Sequence, residues 1–239
     1  RRPQTMDDQY TKGESKKTGL NAFSNTFENT EYEKGTGSLP LYRIHEEGFS
    51  FLVNFTDYID TGIFLDFRNV RALIREEAQG RKMLNLFSYT STAGVYAAAG
   101  GAQETVNVDA SRTYLEWAKK NYQENHLPLE EHRFIEEDCI TWLKNNSERF
   151  DLILADPPTF SNSKDRRDFI IEKDYTELLE RALEKLNTGG MLIFSSHYRK
   201  FKPKFPDFPG ITVKEVTEQT RPFDFSRNKH IHRVWIFRT

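Results

Sequence analysis

The sequence predicts an α/β fold: a mostly parallel seven-stranded sheet with helices on both faces, preceded by a small N-terminal β-hairpin extension. Three observations carry that reading. From Lys82 onward, apolar runs of strand length alternate with segments whose apolar residues recur at helical spacing. Such alternation requires right-handed βαβ units, and so a parallel sheet covered on both sides. Near the C-terminus two apolar stretches, 211–216 and 231–237, follow with no clear helix between them, which predicts an antiparallel edge.

The elements follow in chain order. Residues 1–40 are polar and rich in Lys, Glu, Thr, Asn and Gly, the composition of a loop-rich arm. Apolar runs at 39–44 and 49–55 flank Glu46-Glu47-Gly48, which predicts a hairpin with Gly48 in the turn. The loop 57–62 leads to Asp66, which opens a helix carrying Val70, Leu73 and Ile74 on one face. Strand 83–87 precedes a small-residue helix at 92–99, and strand 105–108 precedes a helix at 111–125 with Ser111 as its N-cap. Leu115, Ala118 and Tyr122 share one side of that helix. Strand 132–135 leads to a short helix, 138–145, and strand 150–155 runs into Asp156-Pro157-Pro158. A long helix at 173–186, a turn at Gly189-Gly190 and strand 191–195 precede the final pair. The expected division is an arm and hairpin over residues 1–62 and one catalytic domain over 63–239.

Composition bounds the function. A chain of 239 residues holds one full α/β domain plus an appendage, and 37% hydrophobic with 13% aromatic residues suffices for a core. No apolar run reaches the roughly 18 residues of a membrane helix, and the mean hydropathy is -0.72. The start, Arg1-Arg2-Pro3-Gln4, has no secretory pattern and no initiator Met, so the chain reads as a piece of a longer polypeptide. A single cysteine, Cys139, excludes a disulfide framework and a Cys-rich zinc site and fits a reducing cytoplasm. The net charge of -2 gives no overall basic footprint, although Lys164, Arg166 and Arg167, and then Arg199, Lys200, Lys202 and Lys204, form local basic patches. The six histidines show no metal-binding spacing, and surface or packing roles are expected for His230 and His232.

In a sheet of this kind the ligand lies beyond the carboxyl ends of the strands, at the switch in strand order. The informative residues are therefore those just after each strand. After the first comes Ser88-Tyr89-Thr90-Ser91-Thr92-Ala93-Gly94, whose small side chains let a cofactor approach the backbone and the next helix start. No G-x-G-x-x-G is present, which counts against a nicotinamide dehydrogenase. Asp109 ends the second strand, where a carboxylate can accept two ribose hydroxyls or favour a helix start. Asp138-Cys139 follows the third, placing an acid beside an adenine amino group or at a helix N-cap. Asp156-Pro157-Pro158-Thr159-Phe160 follows the fourth. Two prolines fix the backbone there, so that Asp156 can face a planar base edge while Phe160 offers a stacking surface. His197-Tyr198-Arg199-Lys200, after the fifth strand, suits a phosphate at the pocket mouth or a solvated loop equally.

These segments resemble one family. Leu84-Asn85-Leu86-Phe87-Ser88-Tyr89-Thr90, Val108-Asp109 and Asp156 through Lys164 are similar to the Rossmann-like class I methyltransferases of large-subunit ribosomal RNA. So are Asn54 through Asp66, Asp109 through Ala118, and Asp224-Phe225-Ser226-Arg227-Asn228 with Ile231-His232. The resemblance is to the RlmKL-type bifunctional enzymes, in their C-terminal RlmK-like half, and runs from about Asn54 to the end. It departs at Ser91, where the family reads Gly after Ser-Tyr-Thr.

The resemblance implies S-adenosyl-L-methionine as cofactor and N7 of a guanine in 23S rRNA as acceptor. It further implies a fused N-terminal methyltransferase with RNA-binding parts in the parent chain, in the cytoplasm and away from membranes. Tyr89 and Thr90 would line the methionine, Asp109 the ribose and Asp138 the adenine, with Asp66, Phe87, Ser88, Ala110, Cys139 and Asp156 completing the cofactor set. Helix capping is the alternative role for Asp66. Asp156 would be catalytic, and Pro157, Pro158, Phe160, Lys164 and Arg199 would meet the substrate. Cytosine C5 chemistry is disfavoured, because Ser195-Ser196 stand where those relatives carry a nucleophilic cysteine, and Cys139 reads as a small buried residue. Transfer to an amino group (adenine N6 or a protein glutamine) and a non-catalytic RNA-binding module are the remaining alternatives. No metal site is expected.

Overall fold

The computed structural model describes residues 41–56, 61–161 and 169–239. The arm at 1–40, the loop at 57–60, and Lys164, Arg166 and Arg167 lie outside the described residues.

The hairpin forms as expected, from β1 (Tyr42–Glu46) and β2 (Phe49–Val53), paired antiparallel with Glu46 opposite Phe49. The two-residue turn has Glu47 at φ 51° and Gly48 at φ 87°. Positive φ at both central residues matches the twist of the strands and is the reason a glycine stands there. A 3-10 turn (Leu65–Phe67) then enters α1 (Arg68–Glu77), which buries Val70 and Ile74.

The sheet domain follows: β3 (Lys82–Leu86), α2 (Thr92–Ala99), β4 (Glu104–Asp109), α3 (Arg112–Glu124), β5 (His132–Glu136), α4 (Cys139–Asn145) and β6 (Phe150–Ala155). Ser111 caps α3, its hydroxyl accepting from the Tyr114 N–H at 3.3 Å. A short pair that periodicity cannot show, β7 (Phe160–Ser161) with β8 (Phe169–Ile170), precedes α5 (Ile171–Glu184). This helix begins earlier than expected, because the Asp174 carboxylate accepts the Ile170 N–H at 2.7 Å. Strand β9 (Leu186–Ser196) also starts early, since Leu186 already pairs with Phe150; the register then shifts across 187–190, and pairing resumes with Met191 opposite Leu152. Between β10 (Thr212–Glu215) and β11 (Arg233–Arg238) the chain forms a four-residue helix, α6 (Thr217–Thr220), where no helix is expected. Thr220 bonds back to the Val216 carbonyl, and so short a helix has no apolar period to read.

The seven strands run in the order β10-β11-β9-β6-β3-β4-β5. The five from β9 to β5 are parallel, and β11 is antiparallel to both its neighbours. Alternate residues feed opposite layers, as a sheet covered on both faces requires. Leu84, Leu86, Ile153 and Ala155 join the core under α4 and α5. Met83, Leu152 and Leu154 join the core under α1 and α2. From β3 the chain proceeds outward to β4 and β5 and then returns to place β6 on the other side of β3. The switch point is therefore between β3 and β6.

The hairpin is built into this body. Phe51 and Val53 share a core with Val95, Tyr96 and Tyr122. The Trp117 indole N–H donates to the Leu52 carbonyl at 2.9 Å, and the Asn121 side chain accepts the Leu52 N–H at the same distance. Among the described residues no helix is long and apolar enough to cross a membrane.

Candidate active site

The loop after β3 is held in an unusual backbone path. Phe87, Tyr89 and Ser91 all have positive φ, between 50° and 55°. Left-handed backbone is strained for residues with a Cβ, so neighbouring contacts must fix it. The Tyr89 N–H donates to Asp109 Oδ2 at 2.8 Å, and the Ser111 N–H donates to Oδ1 at 2.8 Å. Two backbone donors thus set the plane of the Asp109 carboxylate at the end of β4. The buried Thr90 hydroxyl donates to the Gly62 carbonyl at 2.6 Å, and its own carbonyl accepts from Asn121 at 2.9 Å. Ala110 is exposed beside Asp109.

Ser91 takes the left-handed place with φ 55°. Its buried hydroxyl donates to Asn107 Oδ1 at 2.5 Å and accepts from Asn85 Nδ2 at 3.3 Å. Gly94 lets α2 close over this polar group: a Cβ there would meet Ser91 Oγ at 2.3 Å and the Tyr122 hydroxyl at 2.4 Å. Asn85 and Asn107 lie at strand positions that pattern reasoning assigns to apolar side chains, and polarity hides their burial.

The loop fits an adenosine-type cofactor on one feature of its own. Ser88 Oγ is buried and has no hydrogen-bond partner, a donor the fold leaves to be satisfied by something else. The Tyr89 ring stands beside those of Tyr114, Phe64 and Trp117, with centroids 4.6, 5.8 and 6.3 Å away. Asp138 caps α4, accepting both the N–H and the hydroxyl of Thr141 at 2.8 Å. The Cys139 thiol faces inward, accepting the Phe87 N–H at 3.1 Å. Burial, with the nearby Asp109 charge, holds its pKa well above the ordinary thiol value.

Across the switch point, Asp156 leaves β6 half-buried, followed by buried Pro157, exposed Pro158 and Phe160 at 51% exposure. The Ser195 hydroxyl at the end of β9 donates to Asp156 Oδ1 at 2.5 Å. Arg199 is exposed further along, and Lys164 lies outside the described residues.

Asp66 does not cap a helix, contrary to its alternative role. Its buried carboxylate turns toward two histidines instead: Oδ2 lies 2.8 Å from His232 Nδ1 and 3.3 Å from His197 Nε2. These three donor atoms lie within 4.8 Å of one another. Asp66 and His232 are 166 residues apart in the chain, which is why no spacing announces the group. His232 is fully packed, and the Thr220 hydroxyl meets its Nε2 at 3.3 Å. Asp224, within the late Asp-Phe-Ser-Arg-Asn motif, pairs with Arg68 and ties that loop to α1.

Comparison with known proteins agrees with this geometry. Residues 25–211 match the model of a family described as S-adenosylmethionine-dependent methyltransferase. The ribosomal RNA large subunit methyltransferase K/L of Shewanella pealeana is 44% identical over 209 residues, 86% of this chain and 29% of that protein. Its counterpart in Pseudomonas entomophila is 46% identical over 209 residues, 87% of this chain and 28% of that protein. The chain thus spans less than a third of the length of these curated relatives. Among solved structures, SMU.776, described as a methyltransferase complexed with SAH, superposes with a TM-score of 0.70 at 27% identity. The match covers 87% of this chain and 58% of that one. With the strand order, the loop after β3 and the matched span in agreement, the chain belongs to the S-adenosylmethionine-dependent methyltransferase family.

Proposed function

We propose that this chain transfers the methyl group of S-adenosylmethionine to N7 of a guanine in 23S rRNA, as one part of a longer enzyme. The observation that carries the reading is Asp156, fixed by Ser195 and two prolines at the switch point and flanked by exposed Phe160. The large-subunit rRNA methyltransferases among the relatives favour RNA as substrate.

In this reading Asp109 receives the ribose, Ser88, Tyr89 and Thr90 line the methionine, and Asp138 and the backbone near Cys139 border the adenine. When bound, the cofactor supplies an electrophilic methyl group. Guanine N7 is an in-plane lone pair without a proton, so no general base is needed. The protein must hold lone pair, methyl carbon and sulfur in line, which is catalysis by orientation. Phe160 stacks on the extruded base, and Pro157 and Pro158 keep the Asp156 strand end rigid beneath it. Positive charge appears on the purine during transfer, and the Asp156 carboxylate stabilises it. Arg199 and Lys164 meet flanking phosphates. The buried thiol of Cys139, with its pKa raised and no path to a base, supplies no nucleophile for cytosine C5.

The test is methylation of a 23S rRNA fragment, with the product nucleoside identified by mass spectrometry. N7-methylguanosine is expected. Asp156→Asn should lower kcat by roughly 10²–10³-fold, the usual loss when one aimed electrostatic group is removed. Methyl transfer to an exocyclic amine instead would replace the acceptor in this reading.

A further inference from the structure

His197 is the first residue past β9, and its ring lies between two carboxylates. Nδ1 is 3.6 Å from Asp156 Oδ1, and Nε2 is 3.3 Å from Asp66 Oδ2. The second contact is off the line of a hydrogen bond, so Nε2 is a buried nitrogen with no hydrogen-bond partner. The rings of Phe64 and Phe67 hold the imidazole, with centroids 5.3 and 5.8 Å away. Asp66 is secured by His232, and Asp156 by Ser195. A continuous row of polar groups therefore runs from Thr220 through His232, Asp66 and His197 to Asp156 and Ser195.

Both Ser195 and His197 approach the same oxygen of Asp156, Oδ1. That leaves Oδ2 to meet a base. Two carboxylates in one pocket repel each other unless a cation separates them. The titratable groups that the structure records against the His197 ring are Asp66, Asp156 and His232, whose ring centroid is 6.2 Å away.

We infer that His197 is a positioning residue for methyl transfer: a cationic bridge from Asp66 to Asp156 that keeps Oδ2 of Asp156 turned toward the target base. The inference rests on the reading above, in which Asp156 meets that base. Burial works against a charged imidazole here. The Asp156 charge and contact, followed by those of Asp66, outweigh it and raise the His197 pKa to about 10. Two carboxylates flanking one imidazolium leave negative charge beside the purine that becomes cationic. Without the bridge no cation stands between Asp66 and Asp156, and Ser195 alone holds Oδ1 of Asp156.

The experiment uses ¹⁵N-histidine spectra of the chain with S-adenosylmethionine bound, together with kinetics of His197→Gln and His197→Leu. In the wild type both ring nitrogens of His197 should keep imidazolium shifts through pH 8, and Asp156→Asn should lower its titration midpoint by at least one unit. His197→Leu should lower kcat about 10- to 100-fold, the scale expected from lost orientation. Its calorimetric affinity for S-adenosylmethionine should stay within about threefold, while His197→Gln, which keeps a donor, should recover part of kcat. A neutral His197 at pH 8, a midpoint indifferent to Asp156, or an unchanged kcat in His197→Leu would overturn the inference. If the wild type methylates an atom other than guanine N7, the functional reading falls on its own. The spectra and the kcat of the variants on the actual acceptor still decide the bridge.

Discussion

At the scale of single residues, the loop after β3 shows how backbone strain and buried polarity are traded. Ser91 adopts a left-handed backbone that glycine takes without cost, yet its hydroxyl holds Asn107 and Asn85. Ser91→Ala keeps the strain and loses both hydrogen bonds, whereas Ser91→Gly loses the bonds and relieves the strain. The alanine variant should be less stable than the glycine variant by about 1 kcal/mol in urea unfolding; equal stabilities would show that the turn is not strained. The Asp66–His197 contact makes a second prediction, in the pH dependence of stability. The His197 pKa rises from 6.5 to about 10 on folding, so its contribution is complete below pH 6.5 and fades as the pH climbs toward 10. For Asp66, burial raises the pKa, but His197 and His232 together hold it well below the ordinary 3.8. Its contribution is present above that value and is lost as the pH falls further. The melting temperature of His197→Gln should therefore differ most from wild type near pH 5–6, with the gap closing toward pH 10. A gap that widens with pH would reverse the assigned sign.

At the scale of elements, the hairpin is fastened to α1 by a buried ion pair. Arg71, 1% exposed, donates through Nε and Nη2 to the two oxygens of Glu46 at 2.8 and 2.7 Å, and Tyr96 adds a hydrogen bond at 3.0 Å. Removing one partner leaves an uncompensated charge in the core, so Glu46→Leu should cost about 3–5 kcal/mol. The double variant Glu46→Leu/Arg71→Met should recover much of that loss, because paired burial is worth far less than unpaired burial costs. Equal losses in single and double variants would mean that Glu46 acts through shape alone. This pair also marks where sequence reading ends. The hairpin turn, the Ser111 cap and strand β6 are legible because their signals lie within a few residues of one another. Asp109 and Asp156 are legible because they stand at or just past the carboxyl ends of strands. Arg71 with Glu46, Asp66 with His232, and Asn85 with Asn107 join distant segments through polar groups that composition assigns to the surface. β7 and β8 are too short to show a period. The helix at 217–220 escapes for the same reason.

At the scale of the whole molecule, one topological fact gathers the site. Strand order reverses between β3 and β6, so the loop after one and the Asp-Pro-Pro turn after the other stand side by side at the carboxyl edge of the sheet, where ligands of such folds bind. In the proposed reading a cofactor there meets the ends of β3 and β4 and the start of α4, elements distant in the chain that the parallel sheet brings together. Its binding must then stabilise the entire cooperative unit rather than one loop. Anything that binds only the folded state adds stability as RT ln(1 + [L]/Kd), about 2.7 kcal/mol at a hundredfold excess over Kd. For a chain of this size that corresponds to roughly 5–10 °C in melting temperature. Scanning calorimetry with S-adenosylmethionine should show such a rise in a single transition that carries the hairpin with the sheet. Asp109→Ala should abolish most of the rise, because the carboxylate that fixes Tyr89, and that in the proposed reading receives the ribose, is gone. A wild-type chain whose melting temperature ignores the cofactor would contradict the placement of the site at the switch point. A rise confined to one of two separate transitions would show that the hairpin and the sheet unfold as independent bodies.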